Sequence, residues 1–556
     1  MPDSTAKEII RRQETLKSER GLFESHWQEI ADLIRPMRSD FVTLRTPGEK
    51  RMQKIFDGTP GLALQNLASG LWGMITNSAN EWFALQSPDD ELNRRRDVKL
   101  WLDEAGKRMR DTFAAQGQRF YAKVLELYQD LAAFGTGVFY AEDDLAKGEV
   151  FFSCRHLAEC FIAEDERERV DTLYRRFRFT ARQAVQKWPG QVSEKIQVAS
   201  EKEPDRAFDF IHAVYPNDDF NPRRMDARGK KWKSVYVEVE GAKVLAQGGY
   251  ADFPFMVPRW STASRALYGD SPAMLALPDA KMLNAMAKTT IVAAQKVADP
   301  PLLAPDEMAA RGVRTSPGGM IYGGIDSQGR RMYEPLVTNA RIDIGLEMEN
   351  QRRDAVREAF FFSLLLMVQQ PNATATEVLA RQEEKLRLMG PHLGRIQSEF
   401  LDPLIDRVFA IMLRAGRFPD PPQALIENPD LKVVYVSPLA RAQKASEGQS
   451  IMRTMEAVAP LAAADPAVWE NFDIDETARA VAEAFGTPAK LLRDPEDVQA
   501  RRQQKQAAAA MANMAAMAKP AAGALKDVVT ANEAMRAGLM KQNAPQAPGT
   551  AQGTPS

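Results

Sequence analysis

The sequence predicts an α+β fold that is mainly α. Apolar residues recur at spacings of three and four over residues 1–137 and over most of the chain after residue 270, as in amphipathic helices. Between residues 138 and 262, several short runs instead alternate apolar and polar residues with the period of a strand. The 556 residues exceed one ordinary domain, and their 44% hydrophobic content is ample for buried cores.

Charge and composition exclude several classes of protein. Lys and Arg number 73 against 75 Asp and Glu, so the chain lacks the basic excess of a protein that wraps nucleic acid tightly. Two cysteines make no disulfide framework, and no basic segment leads into an apolar one at the start, which fits a reducing cytoplasm. The longest strongly apolar run, residues 360–368, is well short of the roughly 20 residues that cross a bilayer. We therefore expect no membrane span.

Four helices and one short strand are predicted in the N-terminal quarter. Thr5 and Glu8 form a possible capping box for a helix that reaches Pro36. Thr59 and Pro60 open a second helix, despite the propensity cost of two internal glycines. The remaining elements are a strand at 82–85 and helices around 98–113 and 124–131, the last of which ends at 134–137. Strands are predicted at 138–140, 150–153, 173–179, 208–214 and 235–239.

Residues 271–378 are predicted to form a long helix, an irregular insertion and a second helix. Ser271 and Pro272 supply an N-cap and a first-turn proline, and Pro278 is expected to kink or restart the helix. The apolar face of this helix carries Leu283, Met286, Ala287, Thr290, Ala294 and Val297. The polar face carries Lys281, Asn284, Lys288, Gln295 and Lys296.

The insertion, residues 299–338, is rich in turn formers. Residues 320–322 and 331–333 are predicted to be short strands around a turn with Asp326 and Gly329. The second helix, residues 339–368, is highly charged up to Glu358 and uncharged from Ala359 onward. We expect it to pass through two environments.

Helical patterns continue through most of the C-terminal third. Thr374 and Glu377 form another capping box for a helix that reaches residue 390, and a further helix runs from 393 to Gly416. Residues 418–500 are predicted to hold a strand at 433–436 and helices around 452–461 and 477–485. From Arg501 the composition shifts to Ala, Met and Gln, which predicts a helix with few core-forming side chains and then a disordered end.

No motif supports an enzyme, a cofactor or a metal site. The chain has no Gly-x-x-x-x-Gly-Lys-Ser/Thr loop, and Gly135 and Gly137 are interpreted as a helix-to-strand turn. Cys154, His156 and Cys160 lie close in sequence without a second ligand pair, so we interpret them as buried thiols and an ordinary histidine. The histidines are scattered, and no Ser or Cys lies in a nucleophile motif.

The polar face of the first central helix is the one feature that points towards a polyanion. Lys281, Lys288, Gln295 and Lys296 line a single side of that helix and could meet DNA phosphates. The alternatives are a solvated face or salt bridges between subunits with the acids of residues 347–358. Charge pattern alone favours these alternatives.

Four stretches are distinctive: LYQDLAAFGTG at residues 127–137, YGDSPA at 268–273, LPDAKMLN at 277–284 and TATEV at 374–378. Trp27, Ile30, Ala31 and Pro36, with GPHLGR at 390–395, belong to the same pattern. In this order and spacing they resemble the head-to-tail connector, or portal, proteins of short-tailed bacteriophages. The likeness covers about residues 5–416, and no motif in it is catalytic.

The resemblance implies a phage portal fold. Its wing would combine residues 1–266, helical over 1–137 and β-rich over 138–262, with the channel loop and wing helices of 369–417. Residues 267–298 and 339–368 would be long stem helices around an α/β clip insertion at 299–338. Residues 418–500 would be a helical crown, and the tail at 501–556 matches no pattern of the family.

The resemblance also implies a function: a ring, usually a dodecamer, at one capsid vertex, whose channel passes double-stranded DNA of any sequence during packaging and ejection. The implied partners are the terminase large subunit, the major capsid and scaffolding proteins, and tail adaptor proteins. The implied locations are the virion and, during assembly, the host cytoplasm. Neither enzyme activity nor a cofactor is implied.

Particular residues acquire candidate roles through this resemblance. The channel would be lined by Lys281, Lys288, Gln295 and Lys296, and by Gln369, Gln370 and Asn372 of a loop after the second stem helix. The clip would dock the terminase through Arg311, Arg314, Arg330 and Arg331. A closed ring needs two different contact faces on each subunit, for which the charged half of the second helix and the clip strands are candidates.

Two functions from other classes stay open beside it. A nucleic-acid-processing enzyme or motor subunit would hydrolyse nucleotide when DNA is added, although the missing phosphate loop disfavours it. A cytosolic helical adaptor would form a small complex without a central hole.

Overall fold

The computed structural model describes residues 3–43, 46, 48–115, 117, 119–144, 149–303, 318–336, 342–366, 387–427, 432–434, 438–487, 491–493 and 495–541. The chain forms two compact units, Met1–Gly486 and Thr487–Ser556. The second unit contains one long helix, and the remaining described elements belong to the first.

Helices make up most of the described chain. They are α1 (Ser4–Ile34), α2 (Thr59–Ile75), α3 (Asp90–Arg94), α4 (Arg96–Ala114), α5 (Phe120–Phe134), α6 (Ala181–Lys187), α7 (Glu194–Lys202), α8 (Pro272–Ala298), α9 (Ile342–Ala359), α10 (Phe362–Leu366), α11 (387–396), α12 (Asp402–Arg414), α13 (Gln423–Glu427), α14 (Pro438–Ala464), α15 (Ile474–Ala484) and α16 (Pro495–Lys541). A π-helical turn, Gln397–Leu401, joins α11 to α12.

The strands form small antiparallel sheets. They are β1 (Ala84–Gln86), β2 (Val138–Asp144), β3 (Glu149–Arg155), β4 (Cys160–Glu164), β5 (Val170–Thr180), β6 (Ala207–Pro216), β7 (Trp232–Glu238), β8 (Lys243–Tyr250), β9 (Phe255–Met256), β10 (Leu302–Leu303), β11 (Glu334–Pro335) and β12 (Lys432–Val434). Strands β4 to β8 pair in chain order as a five-stranded meander, and β2 lies between β3 and β9. The prediction of a mainly α, α+β fold is therefore confirmed.

The five-stranded sheet buries both faces because its strands alternate in the predicted way. Phe208 and Phe210 of β6 pack on one face with residues of α6 and α7. Ile211 and Ala213 lie on the other face, against Ile9 and the rest of the N-terminal part of α1. This arrangement explains why α1 is amphipathic over its first half.

Arg20 links α1 to the start of the meander. Its guanidinium donates to the carbonyl oxygens of Leu157 (2.7 Å), Ala158 (2.8 Å) and Cys160 (2.6 Å), and it lies over the Phe161 ring at 3.9 Å. The Arg20 side chain is buried. It supplies hydrogen-bond donors to backbone carbonyls that would otherwise be unpaired where the chain enters β4. Periodicity does not reveal this role, because an arginine in an amphipathic helix is usually solvated.

The main core forms where α2, α5, the start of α8, α12 and the sheet of β2, β3 and β9 meet. Its largest members are aromatic: Trp82, Phe83, Phe113, Phe120, Phe139, Phe152 and Phe400. Most ring contacts in this cluster are edge-on or tilted, as in the contact of Phe113 with Phe120 at 4.4 Å, and Trp82 stacks on Phe120. The first long central helix therefore begins inside the best-packed part of the molecule.

Several sequence-based boundaries were wrong or incomplete. The strand predicted at 82–85 lies at β1, and it pairs with β12, some 350 residues later, rather than with a neighbour. Helices α3, α6 and α7 and strands β4, β8 and β9 were missed, because short elements carry too few periods to be recognised. Pro278 neither stops nor restarts α8, which is continuous through it. The loss of one N–H donor is tolerated there because the proline is exposed.

The insertion also differs from the prediction. Residues 320–322 and 331–333 form no strands; nearby, an isolated bridge joins Ile325 to Arg331, and the Met332 N–H donates to the Gly324 carbonyl. The predicted turn is present, since Gly329 has φ of +80° and its N–H donates to the Asp326 carbonyl. The paired strands are instead β10 and β11 at the base of the insertion, where the chain leaves α8. Residues 304–317 lie outside the described part of the chain.

Candidate functional site

Helix α8 begins at a junction with the end of α5. Ser271, the N-cap, accepts a hydrogen bond from the Met274 N–H (3.1 Å) and donates its hydroxyl to the Ala133 carbonyl (2.8 Å). The Gly269 N–H donates to the Thr136 hydroxyl (2.8 Å). Two of the distinctive stretches, residues 127–137 and 268–273, therefore contact each other directly.

Two glycines allow the junction to close. Gly135 has φ of +74°, and a Cβ atom on it would lie 2.0 Å from the Gly269 carbonyl oxygen. A Cβ atom on Gly269 would lie 2.4 Å from the Gly135 carbonyl oxygen. The Trp260 N–H donates to that same oxygen, and the Trp27 indole donates to the Phe134 carbonyl. The prediction that Gly135 and Gly137 form a helix-to-strand turn is confirmed, since α5 ends at Phe134 and β2 starts at Val138.

Helices α8 and α9 form an antiparallel pair. Asp279, near the start of α8, accepts a hydrogen bond from Arg352 (2.9 Å), near the end of α9. Further along α8, Thr290 lies beside Gly345, where a Cβ atom would be 3.4 Å from the threonine hydroxyl. The pair is therefore a hairpin whose tip carries the insertion.

Residues 54–57 cross the polar face of this hairpin. The Asn284 side chain accepts a hydrogen bond from the Phe56 N–H (2.7 Å) and donates one to the Lys54 carbonyl (3.0 Å). Asp57 accepts from Arg353 (2.9 Å). Burial opposes its ionisation, but hydrogen bonds from Thr59 and Arg353 hold the pKa of Asp57 below its usual value.

Arg353 also bonds to Glu349 (2.9 Å), a buried acid of α9. Arg357 pairs with Asp354 in the same helix. Part of the charge on α9 is thus used within the subunit. Sequence reasoning did not identify residues 54–57 as the cover of these helices, because no local pattern links them to residues 230 positions away.

The four predicted channel residues of α8 lie on its exposed side. The Lys281 ammonium donates to Glu29 of α1 (2.6 Å), and the Lys288 ammonium lies 5.7 Å from the centre of the Phe56 ring. Gln295 and Lys296 are exposed near the end of the helix. An exposed pair such as Lys281 and Glu29 contributes at most about 1 kcal/mol, so this lysine stays available to an external polyanion.

The hairpin changes character along its length. At its base, the predicted apolar face is buried through Leu283 and Ala287. Beyond residue 290 that face is exposed in the single subunit, including Ala294 and Val297. The exposed apolar side chains of the far half are Ile291, Val292, Val297, Leu302 and Leu303, with Ile344, Leu346 and Met348 on α9. An apolar surface of this extent is typical of a contact between proteins.

The second helix passes through two environments, as predicted: its charged first part is largely exposed, and its apolar end is buried. Phe360 and Leu364 are buried in the main core, and Leu365 packs so close to Gly70 that a Cβ atom there would lie 2.7 Å from it. Helix α9 ends at Ala359, and Phe361, with φ of +58°, turns the chain into α10. The predicted helix over 339–368 is therefore two helices within its described part. The break follows from packing, since the Phe361 ring contacts Trp260 and His392.

Arg259 anchors the chain just before α8. Its side chain pairs with Glu164 and Glu399, and its N–H donates to Glu399 (2.8 Å). Glu399 lies in the π-helical turn, which shifts the face of the helix that it occupies. His392, from the distinctive GPHLGR stretch, stacks on Trp260 at 4.4 Å and bonds to its carbonyl. These residues support the base of the hairpin.

Of the remaining predicted site residues, two lie in the described part of the insertion and the others lie outside the described residues. Arg330 donates to Asp326 (2.8 Å) and, like Arg331, is exposed on the insertion. Arg311 and Arg314 of the insertion, and Gln369, Gln370 and Asn372 of the predicted channel loop, lie outside the described residues. We therefore treat the α8 lysines, and Arg330 with Arg331, as two separate candidate surfaces.

The cysteines and their neighbours form a buried structural cluster. Asp130 of α5 pairs with Arg35 and Arg38 and accepts a weak hydrogen bond from the Cys154 thiol (3.4 Å). Burial raises the pKa of Cys154 well above its usual value and that of Cys160 to about 12, so neither is a ready nucleophile. The prediction of buried thiols is confirmed. The ion pairs were missed, although a lone acid in the apolar stretch 127–137 is the signal that could have indicated them.

The described residues contain neither a metal-binding cluster nor a membrane-spanning helix. Within the described ranges, no three His, Cys, Asp or Glu side chains form a group that could hold a metal ion. Of the helices that the structure describes, none is long and apolar enough to cross a membrane.

Comparison with known proteins covers nearly the whole chain. A family model described as bacteriophage head to tail connecting protein matches residues 6–492. The portal protein of Salmonella phage epsilon15 is 32% identical over 95% of this chain and 96% of its own. The probable portal protein of Bordetella phage BPP-1 is 33% identical over 87% of this chain and 88% of its own. A solved chain from the virion of a native gene transfer agent particle covers 77% of this chain and 95% of its own, with 13% identity and a TM-score of 0.34, too distant to bear on function.

Proposed function

The chain belongs to the family of bacteriophage head-to-tail connecting proteins, and we infer from this that it is a portal protein forming a ring at one vertex of the capsid. The resemblance seen in the sequence is thereby confirmed. The family is structural, so no catalytic step is assigned to the chain. The nucleic-acid-processing enzyme and the cytosolic adaptor gain no support from these relatives.

The far half of the α8–α9 hairpin carries this proposal. Its apolar side chains are exposed in the single subunit, whereas those at the base of the hairpin are buried against the rest of the subunit. In a ring, each subunit contacts a preceding and a following copy through two different surfaces, and a hairpin exposed on several sides offers both. About half of each of these side chains is already covered, so burying the rest contributes roughly 1 kcal/mol each, which favours a stable assembly.

We assign the α8–α9 hairpin to the stem of the ring and its insertion to the clip. The wing combines residues 1–266 with 369–417, and 418–500 form the crown. The expected ring is a dodecamer. Electron microscopy of the purified chain should show rings with an axial hole, whereas a stable monomer at micromolar concentration over a range of salt would contradict the proposal.

The channel residues are proposed to be Lys281, Lys288, Gln295 and Lys296, with Gln369, Gln370 and Asn372. Double-stranded DNA must slide in both directions, so a strongly basic lining would hold it too firmly. Sparse lysines on a chain of nearly balanced charge meet this need. The DNA is expected to be bound without regard to sequence.

The insertion is proposed to dock the terminase large subunit. This chain has no nucleotide-binding motif, so the terminase would supply the nucleotide hydrolysis. Arg330 and Arg331 are its exposed basic residues in the described part, and Arg311 and Arg314 add to them in sequence. Capsid and scaffolding proteins and tail adaptors complete the proposed partners, which place the ring in the virion after assembly in the host cytoplasm.

Reversing two lysines tests the channel assignment. Lys281→Glu with Lys288→Glu is expected to leave ring assembly intact and to lower the fraction of DNA-filled heads several-fold, because acids on the channel wall repel phosphates. Filled and empty heads are separated by density. The pair Lys281→Gln with Lys288→Gln, which creates no repulsion with Glu29, should give an intermediate defect.

A matched control is available on α7. Lys195, like Lys281, pairs with an exposed acid, Glu240, and Lys202 is exposed on the same helix. Lys195→Glu with Lys202→Glu should fill heads normally. If the α8 double variant also fills heads normally, its lysines belong to solvent or to contacts between subunits.

A further inference from the structure

A row of polar side chains crosses the five-stranded sheet. Arg175 of β5, His212 of β6 and Tyr236 of β7 are register partners, so their side chains lie next to one another on the same face. His212 stacks on Tyr236 with ring centres 4.0 Å apart. On one side of the row this face belongs to the core beneath α6 and α7, and on the other side it belongs to the main core. The row is therefore a polar layer between two apolar ones.

Two further cations lie against this row. The Lys187 ammonium, at the end of α6, is 4.6 Å from the centre of the Tyr236 ring. The Arg155 guanidinium, at the end of β3, is 5.0 Å from the centre of the Tyr140 ring, which contacts His212 edge-on. These contacts define what we call the cationic cluster: Arg155, Arg175 and Lys187 with the rings of Tyr140, His212 and Tyr236.

The neighbouring acids do not balance the cationic cluster. Arg175 forms an ion pair with Glu159 at 2.8 Å. Glu142 of β2 is the acid whose charge acts on Lys187, but within the described residues it forms no ion pair with Lys187 or with Arg155. Three cations against two acids leave one positive charge without compensation, in a layer that is partly shielded from water.

The pKa values of the cluster show repulsion among its cations. Partial burial lowers the pKa of Lys187, Glu142 opposes this, and the charges of Arg175 and Arg155 lower it further. Burial and then the same three cations hold the pKa of His212 well below its usual value, so its ring is neutral. The pKa of Arg155 is also lowered, first by burial and then by Arg175. An anion among these groups would relieve the repulsion.

One donor of the cationic cluster has no acceptor. The Nε of Arg155 is buried and makes no hydrogen bond to the described residues. Buried N–H groups in folded proteins are nearly all paired, so a bound molecule is expected beside this one. Water would accept the hydrogen bond but leave the positive charge uncompensated. An oxyanion supplies both an acceptor and the missing negative charge.

The cluster is accessible to such an ion. Lys187 is exposed, and Arg155, Arg175 and Tyr236 are half-buried, so the cluster reaches the surface. Lys187 is held by aromatic rings rather than by an acid, which leaves its N–H groups available. The planar guanidinium of Arg155 presents its donors in the geometry that phosphate and carboxylate oxygens accept.

We propose that a small free oxyanion of the phosphate class binds between Arg155 and Lys187, beside the polar row of the five-stranded sheet. Bound there, it links β3, α6 and the sheet, and it removes the repulsion among the cations. Every group of the site belongs to one subunit, so the inference does not depend on the ring.

Titration of the full-length protein with inorganic phosphate tests this proposal. Isothermal titration calorimetry near neutral pH, with chloride keeping the ionic strength constant, is expected to show saturable binding of one phosphate per chain. Lys187→Gln should raise the dissociation constant about tenfold, because it removes a charge-assisted hydrogen bond. Arg155→Gln should have the same effect. Lys195→Gln, a matched control on α7 whose lysine pairs with Glu240, should bind phosphate as the native chain does.

The absence of saturable binding, or equal affinity in all four chains, would overturn the proposal. Acetate, titrated in parallel, distinguishes phosphate from a protein carboxylate: tighter binding of acetate than of phosphate would also overturn it, in favour of an acidic side chain as the occupant.

Thermal unfolding provides a second measurement. Phosphate should raise the unfolding temperature of the native chain and of Lys195→Gln more than that of Lys187→Gln. An equal rise in every chain would be the general stabilising effect of this salt and would count against the site.

Discussion

Replacing Gly135 with alanine is expected to destabilise the fold by about 3 kcal/mol. Two penalties combine. The φ of +74° strains any residue with a Cβ atom by roughly 1–2 kcal/mol. The added atom would also lie 2.0 Å from the Gly269 carbonyl oxygen, so the backbone at the start of α8 must move, at a further cost of roughly 1–3 kcal/mol. Thermal unfolding of the purified protein measures the loss.

The consequence for function follows from the position of the junction. Ser271 caps α8 and bonds to Ala133, so a shift between residues 135 and 269 changes the direction in which the hairpin leaves the core. We expect Gly135→Ala to reduce the yield of rings as well as the unfolding temperature.

Gly21→Ala is the matched control. Gly21 lies in α1 with open space around its missing side chain, so alanine should stabilise the helix by about 0.5–1 kcal/mol. An unfolding temperature for Gly135→Ala equal to that of the native chain would contradict the close approach of the two glycines.

Placing acids at Ile291 and Val292 is expected to convert rings to monomers that remain folded. These side chains are 44% and 41% exposed in one subunit, so the fold does not depend on them. In the ring they are proposed to be buried against a neighbour, where an unpaired carboxylate is strongly disfavoured. Because the defect recurs at every contact around the ring, we expect the loss of assembly to be complete at micromolar concentration. Light scattering and electron microscopy measure it, and circular dichroism shows whether the fold is kept.

Val198→Asp provides the control for that variant. Val198, on α7, is 42% exposed, so its substitution introduces one of the two carboxylates at a site of equal exposure. Rings should form normally with it. Rings of native size from the Ile291→Asp, Val292→Asp chain would show that the far half of the hairpin is not a subunit contact.

These two variants separate the two halves of the hairpin. The base is held by Gly135, Ser271 and the Arg259 ion pairs, and disturbing it should affect folding first. The far half contributes little to the stability of one subunit and should affect assembly only. A single long element can therefore be rigid at one end and complementary to another copy at the other.

Much of α8 and α9 was predictable from local features. Ser271 and Pro272 mark a helix start because a side-chain acceptor and a fixed φ are chemically suited to it, and the structure places the cap there. The change from charged to apolar residues near Ala359 correctly indicated a change of environment. The positions of α4, α5 and most of the meander strands were likewise predictable, because their periodicity extends over several turns or residues.

The candidate site was predictable only in part. Lys281, Lys288, Gln295 and Lys296 were expected on one face, and they lie on the exposed side of α8. That Asn284 on the same face binds residues 54 and 56 was not predictable, because it depends on a contact across about 230 positions. The break at Phe361 was missed because it results from a ring contact with Trp260 and His392, not from a helix-breaking residue.

The sequence by itself determined the mainly helical α+β class, the long helices with their apolar stripes, the Ser271 cap of α8, and the family of the chain. These depend on neighbouring residues or on an order of motifs along the chain. The cap predicted for α1 at Thr5 was wrong, since Asp3 caps that helix. The tertiary structure alone decided that Gly135 approaches Gly269, that Arg259 pairs with Glu164 and Glu399, and that α8 is buried at its base and exposed beyond it. The reason is physical: hydrogen bonding and periodicity within an element are local, whereas the burial of a face depends on which distant element packs against it.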